Sequence, residues 1–150
     1  MKTTLRTCVV AIAVSSLGFA AKSLALKDLP APAQKTIQET LKGGEIRNIS
    51  KEVEKGVTQY EVEAMLNGKH RDFNVDTKGK LVVLEEEVNL ASIPAAAKAA
   101  IEKKVAGGTL RMVEAVTKGD GSTLYEAAYT SKAGKKSAVL VKADGTETKD

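Results

Sequence analysis

The stretch LPAPAQKTIQETLKGG, residues 29–44, returns as IPAAAKAAIEKKVAGG, residues 93–108. That repetition decides the fold, because a chain that repeats itself is built from repeated units. At a shift of 64 positions Leu29 maps to Ile93, Ile37 to Ile101, Leu41 to Val105, Ile46 to Leu110 and Ile49 to Val113. Further on, Tyr60-Glu61 matches Tyr125-Glu126 and Lys78-Gly79 matches Asp144-Gly145, at shifts of 65 and 66. Each added residue falls in a turn, where a repeated fold tolerates insertions. The chain is a tandem duplication.

Both copies of the quoted stretch spell a helix. Ala33, Ile37 and Leu41 recur at i, i+4 and i+8, as do Ala97, Ile101 and Val105, which places one apolar stripe on each helix. Proline opens both, since its missing N–H would find no partner in a first turn. Gly43-Gly44 and Gly107-Gly108 close them by supplying a residue that accepts positive φ.

After each glycine pair the period changes to two. Tyr60, Val62, Ala64 and Leu66 alternate with Glu61, Glu63 and Met65, which predicts a strand with one buried and one wet face. Asn67-Gly68 suits a tight hairpin turn. Arg71 to Val75 returns, Lys78-Gly79 turns again, and Leu81 to Leu84 forms the last strand of the copy. Leu110 to Val116, Leu124 to Thr130 and Lys136 to Val141 read as the strands of copy two. The expected fold class is α+β: two tandem repeats, residues 26–88 and 89–150, each one helix followed by a three- or four-stranded antiparallel meander. The helices lie on one sheet face and leave the other open.

Ahead of the repeats, Lys2 and Arg6 precede the apolar run from Cys8 to Val14, and Gly18 follows. This has the form of a secretory signal over residues 1–25 and is too short to span a bilayer. Ser23 and Ala25 place cleavage after Ala25, with a second acceptable site after Ala20. Taking away Lys2, Arg6 and Lys22 brings the 23 basic residues down to near-equality with the 19 acids, so the formal charge of +4 is mostly a property of the leader. No basic stretch would track a phosphate backbone, which argues against nucleic acid. The only cysteine, Cys8, departs with the leader and leaves the remainder without thiol chemistry.

Gln59-Tyr60-Glu61-Val62-Glu63, then Asn67-Gly68, then Phe73-Asn74-Val75-Asp76 to Lys78-Gly79-Lys80-Leu81, resembles the PepSY family. Copy two keeps Leu124-Tyr125-Glu126-Ala127 and Val139-Leu140-Val141, with Lys142 where copy one has Asp76. Two such copies behind a signal peptide look most like the PepSY-like branch that is similar to beta-lactamase inhibitory protein. Across residues 29–150 the resemblance implies an exported binding or inhibitory module whose open sheet face meets a partner, with peptidase regulation as one theme.

Catalytic constellations are sparse. His70, the lone histidine, sits between Lys69 and Arg71 beside a turn, where a solvated side chain is expected rather than a metal ligand. Glu85-Glu86-Glu87 reads as a solvated strand end whose carboxylates alternate between faces. Asp120-Gly121-Ser122 reads as a hairpin turn. Tyr60, Tyr125 and Tyr129 fall on the apolar phase of their strands and are expected in the core. Glu61 and Glu63 share a face, yet nothing marks a cleft that would raise one pKa, so no catalytic residue, metal site or cofactor is expected. The expected partner is an exported protein or peptide, a peptidase among the classes, met through Glu61, Glu63, Asp72, Asn74 and Glu126. The expected location is periplasmic or secreted, with no membrane contact after cleavage. A small-ligand-binding envelope protein is the alternative, and a hydrolase the least favoured class.

Overall fold

The computed structural model describes residues 23–54 and 56–149. The expected secretory signal over residues 1–25 lies outside them except for its last three residues. Two helices, α1 (Ala31–Leu41) and α2 (Ala95–Val105), are each preceded by a single 3-10 turn, Leu26–Asp28 and Leu90–Ser92. Four strands follow α1: β1 (Glu45–Glu54), β2 (Val57–Leu66), β3 (Lys69–Asp76) and β4 (Leu81–Glu87). Four follow α2: β5 (Thr109–Lys118), β6 (Thr123–Thr130), β7 (Lys136–Lys142) and the two-residue β8 (Glu147–Thr148). The strands form one sheet in chain order. The fold is α+β, and the meanders are successive parts of one sheet rather than separate sheets.

The described residues divide into two compact units. The N-terminal unit holds the chain up to Val88 together with Glu114–Thr123, and the C-terminal unit holds Asn89–Val113 and the chain from Leu124. The second half of β5 therefore belongs with copy one, where it pairs antiparallel with β4 from Val83↔Lys118 to Glu87↔Glu114.

In the N-terminal unit, alternation on three strands delivers one face to α1. Ile49, Tyr60, Val62, Ala64, Phe73 and Val75 are buried with Ala33, Ile37 and Leu41 of the helix, and Leu29 closes the end. Arg71 extends this face: its side chain is buried, its Nε donates to the Thr40 carbonyl at 2.8 Å, and its guanidinium pairs with Glu86. A buried cation there satisfies a carbonyl that the last turn of α1 leaves without an intrahelical donor. In the C-terminal unit Ile93, Ala97, Ile101, Val113, Ala127, Val139 and Val141 play the corresponding parts.

The duplication extends to strand register. Tyr60↔Val75, Glu61↔Asn74 and Val62↔Phe73 in β2–β3 become Tyr125↔Val141, Glu126↔Leu140 and Ala127↔Val139 in β6–β7. The glycine pairs repeat as well, with a division of labour that differs from the expectation. The first of each pair, Gly43 or Gly107, takes positive φ, and in α1 Lys42 already does so at the C-cap. The second is required for close approach: a Cβ on Gly44 would meet the Met65 carbonyl oxygen at 2.7 Å, and one on Gly108 the Thr130 carbonyl oxygen at 2.4 Å.

Other expectations shift in detail. The acidic run Glu85-Glu86-Glu87 lies inside β4 rather than beyond its end, so Glu86 reaches Arg71 on the helix side while its neighbours turn the other way. The Asp120 carboxylate accepts from the N–H and Oγ of Ser122, which closes the turn between β5 and β6. Tyr60 is buried, and Tyr125 and Tyr129 are half-buried. Near the leader, the Leu24 N–H donates to the Ile49 carbonyl at 2.9 Å, and Leu24 and Leu26 both pack against the core. Both sides of Ala25 thus belong to the folded unit, so cleavage after Ala25 would remove Leu24 from its place. Cleavage after Ala20 would leave it there.

Candidate functional site

The face of the N-terminal unit turned away from α1 carries an array of carboxylates. Alternation sets them there. Asn48 and Ser50 on β1 stand opposite Glu63 and Glu61 on β2, Glu61 stands opposite Asn74 on β3, and Asp72 stands opposite Glu85 on β4. On the far side Glu87 of β4 faces Glu114 of β5.

Neutral donors from the edge strand orient two of these groups. Ser50 Oγ donates to Glu61 Oε2 at 3.1 Å and Asn48 Nδ2 donates to Glu63 Oε1 at 3.2 Å. A third is held by the backbone. The β2–β3 ladder has no paired residues between Val62↔Phe73 and Met65↔His70, and there the Ala64 N–H donates to Asp72 Oδ1 at 2.9 Å. Asp72 substitutes for a ladder bond, which fixes its carboxylate against the sheet. The His70 N–H donates to Glu87 Oε2 at 3.2 Å, and its Nδ1 lies 3.9 Å from Asp72 Oδ2.

Crowding of like charge on partly desolvated ground disfavours ionisation. Burial, then the neighbouring Glu61, pushes the Glu52 carboxyl above its ordinary value. Burial also raises Asp72, against the opposing help of the Ala64 N–H and His70. Glu114 is raised by burial and then by Asp72. It is only 7 % exposed.

Of the five residues expected to meet a partner, Glu61, Glu63, Asp72 and Asn74 come together on this face. Glu63 is exposed, and the other three are half-buried. Glu126 lies in the C-terminal unit, on the side of β6 away from Ala127 and the core, and is only 6 % exposed. Sequence reasoning missed Glu52 and Glu114. A period-two reading of Asn48, Ser50, Glu52 and Glu54 could have found the first. A single acid within Leu110 to Val116 was the only mark of the second. Among the described residues no three His, Cys, Asp or Glu are grouped so as to hold a metal ion, and no helix is long and apolar enough to cross a membrane.

No protein-family model and no curated protein matches the sequence. Solved structures share the fold. A presumptive periplasmic protein of Bacteroides eggerthii superposes with a TM-score of 0.64 at 15% identity, covering 81% of this chain and 88% of its own. A DUF2874 family protein of Bacteroides uniformis gives 0.63 at 15% identity, with 79% and 85% covered. A BLIP-like protein of Bacteroides fragilis gives 0.53 at 20% identity, with 77% and 84% covered. At these identities the likeness is one of fold.

Proposed function

We propose that this chain is an exported, PepSY-like binding module that docks a protein partner through the open face of its N-terminal unit and catalyses no reaction. One observation carries the reading: Glu61, Glu63 and Asp72 are held in place by Ser50, Asn48 and the Ala64 N–H on a sheet face that α1 does not cover. Carboxylates aligned in advance lose little side-chain freedom on binding, the condition under which polar groups add affinity and specificity. A location in the periplasm or outside the cell is supported by the signal-like leader and by the description of the B. eggerthii neighbour. The BLIP-like neighbour supports an inhibitor-type role, and the PepSY resemblance puts an exported peptidase among the candidate partners.

The test is capture from the exported fraction with the full chain as bait, comparing wild type with Glu61→Lys/Glu63→Lys. Loss of a partner that the wild type retains is the expected result. Retention of that same partner by the double variant would assign docking to another surface.

A further inference from the structure

We propose that the outer edge of β1 is a receptor for one extended strand of a protein partner, added antiparallel along Lys51 to Glu54 and reading apolar, basic, acidic in its own chain direction. This site consists of backbone groups at the rim of the sheet, so it goes beyond the carboxylate face proposed above and does not depend on it. β1 ends the sheet, with β2 on one side and no strand on the other among the described residues. At Ile49 the outward groups are taken: its carbonyl accepts from the Leu24 N–H at 2.9 Å, and its N–H donates to Ser23 Oγ. An antiparallel ladder turns the N–H and C=O of alternate residues to the same side. The β1–β2 register runs without a shift from Asn48 to Glu54, so Lys51 and Val53 direct both of their groups outward as Ile49 does. Val53 also carries one of the two large apolar side chains exposed among the described residues, at 66 %. An open edge beside an exposed apolar side chain is a template for a further strand.

The duplication supplies a template for the occupant. At the shift of 64 that relates the copies, β1 corresponds to β5, and β4 fills the edge of β5 with Leu84↔Thr117, Glu85↔Val116 and Glu86↔Ala115. The Gly119 N–H donates to the Val82 carbonyl at 2.7 Å, so the odd-numbered residues at this edge turn toward β4 as those of β1 turn outward. Carried back by 64, Thr117, Val116 and Ala115 become Val53, Glu52 and Lys51. An incoming strand in the same register is best matched by an apolar residue facing Val53, a basic one facing Glu52 and an acidic one facing Lys51. The β4 sequence offers Leu84 and Glu86 for the first and third, but it would set Glu85 against Glu52. A second copy of β1 is a poor occupant. Registers centred on Lys51, Glu52 or Val53 place Lys51 on Lys51, Glu52 on Glu52 or Glu52 on Glu54, and like charges directly opposite are destabilising.

The experiment is an NMR titration of the full chain with two synthetic peptides: residues 80–88, KLVVLEEEV, and the same peptide carrying Glu85→Lys. The Glu85→Lys peptide is expected to bind about threefold tighter, the scale of one cross-strand charge pair. Glu52→Lys in the protein should reverse that order. In the complex the Lys51 and Val53 N–H groups should become protected from hydrogen exchange. Val53→Pro removes an N–H that faces away from β2, a place where an edge strand tolerates proline, and should abolish binding of both peptides. Should that variant fold poorly, the reversal by Glu52→Lys and the exchange of the two amides still decide the matter. Failure of either peptide to bind wild type would overturn the proposal, as would an order of affinity that Glu52→Lys does not move. So would protection changes at Ala115 and Thr117 in place of Lys51 and Val53, which would mean that the peptide displaces β4 instead. A dimer of the protein alone with Lys51 and Val53 already protected would assign the edge to a second copy and remove the partner strand.

Discussion

The two copies differ least where a helix covers the strands and most on the opposite face. Under the helices the correspondence is close: Leu29 and Ile93, Ala33 and Ala97, Ile37 and Ile101, Ile49 and Val113 are all buried. On the other face, at matched register, Glu63 becomes Ala128, Asp72 becomes Ala138, Asn74 becomes Leu140 and His70 becomes Lys136. Acids outnumber bases in the N-terminal unit and bases outnumber acids in the C-terminal one. A covered face is constrained by packing, which penalises changes in volume, whereas an uncovered face can diverge at small cost in stability. The array of oriented carboxylates belongs to one copy alone, which is why the docking surface is assigned there.

Even the covered faces are unequal, and this gives the largest expected effect. Phe73 is fully buried among Val62, Tyr60 and the α1 stripe, while its counterpart is Val139 and the counterpart of Val62 is Ala127. Phe73→Ala should cost about 3–5 kcal/mol of unfolding free energy. Val139→Ala removes two methylene equivalents and should cost about 2 kcal/mol. Urea unfolding of both variants checks the difference. Equal losses would mean that the smaller core is as tightly packed as the larger, and the asymmetry would then be confined to the open face.

Much of this architecture was legible in the chain. The helices, their proline starts and the Asn67-Gly68 hairpin follow from residue spacing and local backbone preference, and the repeat fixes that they occur twice. Membership of the open face was legible for Glu61, Glu63, Asp72 and Asn74, because strand alternation assigns faces directly. Burial depth was not. Glu126 occupies the position of Glu61, yet its exposure depends on Leu140 and other neighbours that sequence period does not reveal. Glu114 became visible only once β5 was seen to pair with β4, a contact between copies in the sequence and within one unit in the fold. Arg71 reads as one more polar residue beside a turn. Its burial under α1 follows from where the helix ends.

The N-terminal boundary offers a second, intermediate effect. The 3-10 turns Leu26–Asp28 and Leu90–Ser92 are equivalent, and the first begins directly after the proposed cleavage site at Ala25. A chain beginning at Leu26 lacks the Leu24 N–H bond to the Ile49 carbonyl and the Leu24 packing on the core. Relative to a chain beginning at Ala21 it should lose about 1–2 kcal/mol, from one backbone hydrogen bond and a partly buried leucine. Mass spectrometry of the protein purified from its native host gives the actual start. A mature terminus at Leu26, with stability equal to that of the longer chain, would show that Leu24 adds nothing to the fold.

The smallest effect is electrostatic and sharpens the contrast between the open faces most directly. Glu52, Asp72 and Glu114 all have carboxyl groups raised in the folded state, each chiefly by burial, and all three lie in the N-terminal unit. A carboxyl whose folded value exceeds its unfolded value binds more protons when folded, so stability falls as pH rises through that window and is regained on acidification. Around Glu114 the groups that set this are Glu87 on β4 with Asp72 and His70 on β3; around Glu52 they are Glu54, Glu61 and Asn74. Asp120 and Asp144 act in the opposite sense, lowered by their bonds to Ser122 and Thr146, and withdraw stability only below the ordinary aspartate range. The thermal midpoint should therefore rise modestly from neutral toward mildly acidic pH before falling in stronger acid. In Glu114→Gln the rise should shrink. A midpoint that falls monotonically from neutral pH in both proteins would mean that the carboxylates of this face are solvated and mutually indifferent, and the open faces of the two copies would then differ in composition without differing in energetics.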